Sequence, residues 1–152
     1  MPTPTIERRV RNALAILTKL GDASPATLAR RTPGLVVLLS GRHTGATAAH
    51  AKLLRAIDSL DDAPATAARA LLGIGLPGRT TRRERRAVAG EAYRVGWDQF
   101  SRAYEPRVIT ALVIALIDRA DPAATYPTPS LIVQILRNPP PPASAFRPRL
   151  TR

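Results

Sequence analysis

Apolar residues open the chain at three- and four-residue steps: Ile6, Val10, Ala13, Leu14, Leu17 and Leu20, with Arg8, Arg11 and Lys19 off that stripe. The spacing predicts an amphipathic helix over 5–20, stopped by Gly21. Ser24-Pro25 pairs an N-cap residue with a first-turn proline and predicts a second, short helix carrying Leu28, Arg30 and Arg31. Thr32-Pro33 repeats the signal. The run GLVVLLSG that follows fits a buried strand or a buried helix equally by periodicity. A lone strand has no partner to pair with, so helix is the expectation. A loop is predicted over 41–45, then a helix over 46–60 with Ala46, Ala49, Leu53, Ile57 and Leu60 on one face. Asp61-Asp62 before Ala63-Pro64 caps another helix running to about residue 72, and GIGLPG breaks the chain after it.

The second half carries the most distinctive pattern. Thr81-Arg82-Arg83-Glu84 has the form of a capping box, in which the threonine caps the helix and the N3 glutamate reaches back. That helix is expected to reach about residue 93, with Gly96 marking a turn. A short helix over 97–104 should end or kink at Pro106, which then serves as a first-turn residue of a helix over 106–119. The last of these, VITALVIALI, is apolar nearly all round. It belongs either in the centre of the core or at the interface of a homodimer formed through 106–119. A final helix is expected over 130–137, with Leu131, Ile132, Ile135 and Leu136 inward. Pro139, Pro140, Pro141 and Pro142 then begin an Arg-containing tail over 138–152, expected to be extended and disordered.

Composition sharpens this picture. At 152 residues and 45% hydrophobic, the chain is long and apolar enough for one domain, expected over 1–137. Only 4% of residues are aromatic, so the core must be built from Ala, Leu, Ile and Val, which suits helices. The fold class expected is all-α: an orthogonal bundle of six to eight short helices. The net charge is +12 and, of 23 basic residues, 21 are arginine. Arginine presents a planar fork of donors to phosphates and carboxylates. GC-rich coding raises Arg, Ala and Pro together, and the chain is rich in all three, so coding accounts for part of the excess. The charge nonetheless favours polyanions, nucleic acid first, or an acidic protein partner.

Chemistry is limited by what is missing. Without cysteine there are no disulfides, thiolate nucleophiles or Cys-type zinc sites. His43 and His50 are seven apart with no carboxylate near in sequence before Asp58, so no metal site is expected. Gly41-Arg42-His43-Thr44-Gly45-Ala46-Thr47 lacks the Gly-Lys-Ser/Thr ending of a phosphate-binding loop. Asp61-Asp62 reads as a helix cap, and Ser40 and Ser101 have no base-and-orienter pattern around them. A non-enzymatic protein without cofactors is expected. The N-terminus, MPTPTIERRVRN, has no apolar signal-peptide core, and the longest apolar run, ALVIALI, is too short for a membrane span. A cytoplasmic location away from membranes follows as the expectation.

The run ERRAVAGEAYRVGWDQFSRAYEPRVITAL resembles helix-turn-helix-like segments of small, largely uncharacterised proteins from high-GC actinobacteria. They combine an Arg-rich helix, a Gly turn, an aromatic-Arg helix and a Glu-containing apolar helix. The resemblance covers about 40 residues, over 79–118, and leaves the first half aside. It implies that Arg79, Arg82, Arg83 and Arg86 contact phosphates while Gln99, Arg102 and Ser101 face bases, in the manner of a helix that enters the major groove. It also implies that Ala92 and Gly96 let the two helices cross closely, and that Trp97, Phe100 and Tyr104 anchor the second helix. The turn departs from the standard pattern in lacking Ser or Thr, with Asp98 expected as the substitute cap. The reading helix is barely two turns long before Pro106. Glu84, Glu91, Asp98 and Glu105 interleave with the arginines. Two functions therefore stand side by side: a regulatory nucleic-acid-binding protein, or an adaptor or assembly component that meets an acidic partner through its basic face, apolar helix or Pro-rich tail.

Overall fold

The computed structural model describes residues 5–121 and residue 137, and among them the structure is all-helical. The helix expected over 130–137 and the tail over 138–152 fall outside the described residues, Arg137 apart. Helix α1 spans Ile6–Leu20, α2 Pro25–Arg31, α3 Pro33–Asp58, α4 Asp62–Leu71 and α5 Arg82–Glu91. Helix α6 (Trp97–Gln99) leads through a π-helical turn (Phe100–Tyr104) into α7 (Glu105–Asp118).

Start signals act locally as expected. Thr5 caps α1 by accepting from the Arg8 N–H, and Ser24 caps α2 by accepting from the Thr27 N–H. Thr32 behaves differently. Its hydroxyl donates back to the Leu28 carbonyl at 3.1 Å and makes no cap bond to α3, so α2 turns directly into α3. Helix α3 is not one rod. Gly41 (φ 73°, ψ 177°) and Gly45 (φ 78°, ψ −176°) leave helical geometry for a region open in practice only to glycine, where the sequence predicts a loop.

Leu35, Val36, Val37, Leu38 and Leu39, the segment that periodicity could not assign, are all buried in the first half of α3. A helix enclosed on every side has no polar face to mark its period. Helix α7 is the hub, packing against α1, α3 and α4. Val108, Leu112, Val113, Ala115 and Leu116 are buried there, while Ile114 stays 56% exposed. On α1 the predicted stripe frays at both ends: Val10, Ala13, Leu14 and Leu17 are buried, but Ile6 and Leu20 are exposed. At the far end of α7, the Asp121 N–H donates to the Leu38 carbonyl at 2.9 Å and Lys52 Nζ to the Arg119 carbonyl at 3.3 Å.

One junction fixes α1, α4 and α5 together. Gly21 and Gly73 end α1 and α4, and a Cβ on Gly73 would lie 2.0 Å from the Gly21 carbonyl oxygen. Behind Gly21 lies Arg85, the largest fully buried side chain. Its Nη2 donates to the Thr18 carbonyl at 2.7 Å and to the Lys19 carbonyl at 3.4 Å, and Nη1 donates to the Thr80 carbonyl at 2.6 Å. The guanidinium thus caps the unpaired carbonyls and negative dipole end of α1.

Candidate nucleic-acid interface

The capping box of α5 forms in full: the Glu84 N–H donates to Thr81 Oγ1 at 3.1 Å, and the Thr81 N–H to Glu84 Oε2 at 3.2 Å. It anchors the helix start that carries Arg82 and Arg83. The far end closes in a Schellman motif, with the Arg94 N–H on the Glu91 carbonyl and the Val95 N–H on the Gly90 carbonyl. The residue that takes the left-handed conformation is Arg94, at φ 57°, while Gly96, where the sequence marks the turn, is extended.

The close approach in this unit falls at Gly90, where the sequence leaves room for backbone to come near. A Cβ on Gly90 would lie 2.6 Å from the Val95 carbonyl oxygen, whereas one on Gly96 would meet nothing within 4 Å. Gly90, not Ala92 with Gly96, lets the turn fold back on α5. Asp98 is not the cap of the second helix either. Gly96 holds that position without a side-chain cap, and Asp98 lies in the first turn, paired with Arg102.

The second helix does not stop at Pro106. Gln99, Phe100, Tyr104 and Glu105 are all right-handed helical, so α6, the π turn and α7 follow with no loop between them. The Glu105 N–H donates to the Phe100 carbonyl, one residue further back than in an α-helix. Proline lacks an N–H and crowds the preceding turn, and the wider turn absorbs that defect without ending the helix. The aromatic anchors divide the work. Phe100 is fully buried, Tyr104 stacks on Tyr93 with ring centroids 4.5 Å apart, and Trp97 is half-buried.

The six proposed contact residues come from the segment before α5, from α5, from α6 and from the π turn, and they are in different states. Arg79 and Arg82 are exposed. Arg83 is exposed and lies over the Trp97 ring, 4.7 Å from its centroid. Gln99 is exposed, and Arg102 is exposed and bonded to Asp98 at 2.9 Å. Arg86 is committed inward. Its Nη2 and Nε lie 3.0 and 3.1 Å from Glu105 Oε2, and the pair is largely buried. Ser101 Oγ donates to the same carboxylate oxygen at 3.4 Å. Arg83–Trp97 and Arg86–Glu105 thus clasp the two helices, and each uses cationic surface that an open face would offer to solvent.

Arg85 is not among the contact residues expected from the sequence, and it is buried. Its position one turn after Thr81 and three residues before Val88, on the inward side of α5, was the available signal. Burial lowers the pKa of its guanidinium, helped by Arg82 and Arg86, while Glu84 opposes the shift. His50 serves structure: its Nδ1 donates to the Ala23 carbonyl at 2.9 Å. Among the described residues no helix is long and apolar enough to cross a membrane, and no three His, Asp or Glu side chains group to hold a metal ion. No protein-family model, no curated protein and no solved structure matches the chain.

Proposed function

We propose that the chain is a non-enzymatic, regulatory nucleic-acid-binding protein that meets the phosphate backbone with the arginine face of α5 and α6. The observation that carries this reading is that Arg79, Arg82, Arg83, Gln99 and Arg102 are all exposed within 24 residues of sequence. Arg86 contributes through the fold, because its charge is spent on Glu105. Seven arginines stand against four acidic residues between positions 79 and 105, an excess suited to backbone contact. Base reading belongs to Gln99 and Arg102 in this scheme. The test is fluorescence anisotropy with a labelled duplex at low salt. The wild-type chain is expected to bind, and Arg82→Ala with Arg83→Ala to weaken binding similarly across sequences, as loss of phosphate contacts does. Absence of duplex binding at low salt overturns the reading.

A second reading draws on Ile114, a large apolar side chain 56% exposed on the hub helix. In it, the chain is an adaptor that docks an acidic protein, or a second copy of itself, beside α7. Duplex binding would then be absent, and Ile114→Glu would abolish a defined complex in gel filtration.

A further inference from the structure

A cavity of about 590 Å³ opens where the turn after α1, helix α2 and the segment before α5 meet. Its volume is that of a small-molecule site. Three arginines line it, Arg30 and Arg31 from the last turn of α2 and Arg79 from the segment leading into α5. All three are exposed. Gly21, Gly73 and Gly78 also line it and leave backbone without side chains, which favours close approach by a ligand.

Charge decides the ligand class. The lining sets three arginines against one carboxylate, Asp22, whose Oδ2 accepts from Thr27 Oγ1 at 2.6 Å and Oδ1 from the Ser24 N–H at 2.9 Å. Its negative charge stays in place, interacting with Arg30, and the balance is positive. The buried guanidinium of Arg85 stands directly behind Gly21 and bonds the carbonyl of Thr80, another lining residue. Arginines in the last turn of a helix also complement its dipole, which accounts for Arg30 and Arg31 singly. It does not account for Arg79, which comes from a different element and faces the same space. Guanidinium forks converging from two elements match the spaced oxygens of a phosphate chain.

We propose that this cavity binds the phosphate groups of an anionic ligand larger than a single phosphate. Such a group can come from a free polyphosphate-bearing small molecule or from a nucleic-acid backbone. The site is separate from the α5–α6 face except at Arg79, and Arg30 and Arg31 have no part in the nucleic-acid reading above.

The test is calorimetric titration of the full chain with inorganic tripolyphosphate at 100 mM salt (about one Debye length of 10 Å). A charge-matched control, Arg55→Gln with Arg107→Gln, changes two exposed arginines elsewhere. Saturable binding is expected, weakened about tenfold or more by Arg30→Gln with Arg31→Gln and little changed in the control. A parallel titration with duplex DNA separates the sources. If the Arg30/Arg31 variant loses tripolyphosphate but keeps duplex affinity, the ligand is a small molecule; if it loses both alike, the backbone is the source. No saturable binding, or equal losses in the variant and the control, overturns the proposal.

Discussion

Withdrawing an arginine from water costs several kcal/mol of hydration, and Arg85 recovers it from backbone carbonyls at three positions. Its Nε alone finds no partner. Truncation removes the donors and leaves the buried Thr18 carbonyl unpaired at the end of α1. Arg85→Ala is therefore expected to lower stability by about 3 kcal/mol or more, read from denaturant midpoints. Arg86→Ala acts by a different route, leaving Glu105 buried without its cation, and should cost about 3 kcal/mol. A loss well under 1 kcal/mol would show that the pair contributes little. Asp22 supplies a pH dependence. The Thr27 hydroxyl and then the Ser24 N–H hold its carboxyl below its ordinary value of 3.8. A depressed carboxylate stabilises the fold above its unfolded pKa, and that contribution is lost as pH falls from about 3.8 through the lower folded value. Asp22→Asn should melt below the wild-type chain at pH 7, with the gap closing below about pH 4.

At the scale of elements, the α5 turn and the π-helical junction set the geometry of the candidate face. Gly90→Ala pushes a methyl into the Val95 carbonyl and should cost about 1–3 kcal/mol. Gly96→Ala, in extended backbone with open space around it, should be tolerated. Thermal melts of the two variants decide between these roles, and equal losses would contradict them. The starts of α2 and α5 were legible in the sequence because caps are local: Ser24 and the Thr81/Glu84 box each act within three residues, whereas Asp61 takes the cap position of α4 without a side-chain bond. The turn was legible as a turn, but not all of its special residues were. Gly90 was legible as room for close backbone approach, but Arg94 in the left-handed region was not, because that region favours glycine and nothing in the sequence marks an arginine for it. Pro106 sits in the first turn of α7, as the sequence predicts, but the helix before it joins α7 through a π turn, a detail no local signal marks. The states of the six candidate contacts were not legible either. The Arg86–Glu105 pair spans 19 residues and exists only once α5 lies against α7.

Across the whole molecule, α7 and the first half of α3 form an aliphatic centre, with Phe100 the one fully buried aromatic ring among the described residues. The α1–α4–α5 junction is braced by Gly21, Gly73 and Arg85. Among the described residues most arginines are exposed and only Arg85 is buried, so positive charge lies chiefly on the exterior. Such a surface attracts polyanions at long range, and a specific face must be told apart from that general attraction. The slope of log affinity against log salt concentration for a short duplex does so. Each phosphate contact contributes roughly 0.9 to that slope. The account predicts a steep slope for the wild-type chain, flattened by about 2 in Arg82→Ala with Arg83→Ala and unchanged in Arg55→Gln with Arg107→Gln. A slope that falls equally in both double variants, or binding too weak to titrate at low salt, would contradict it.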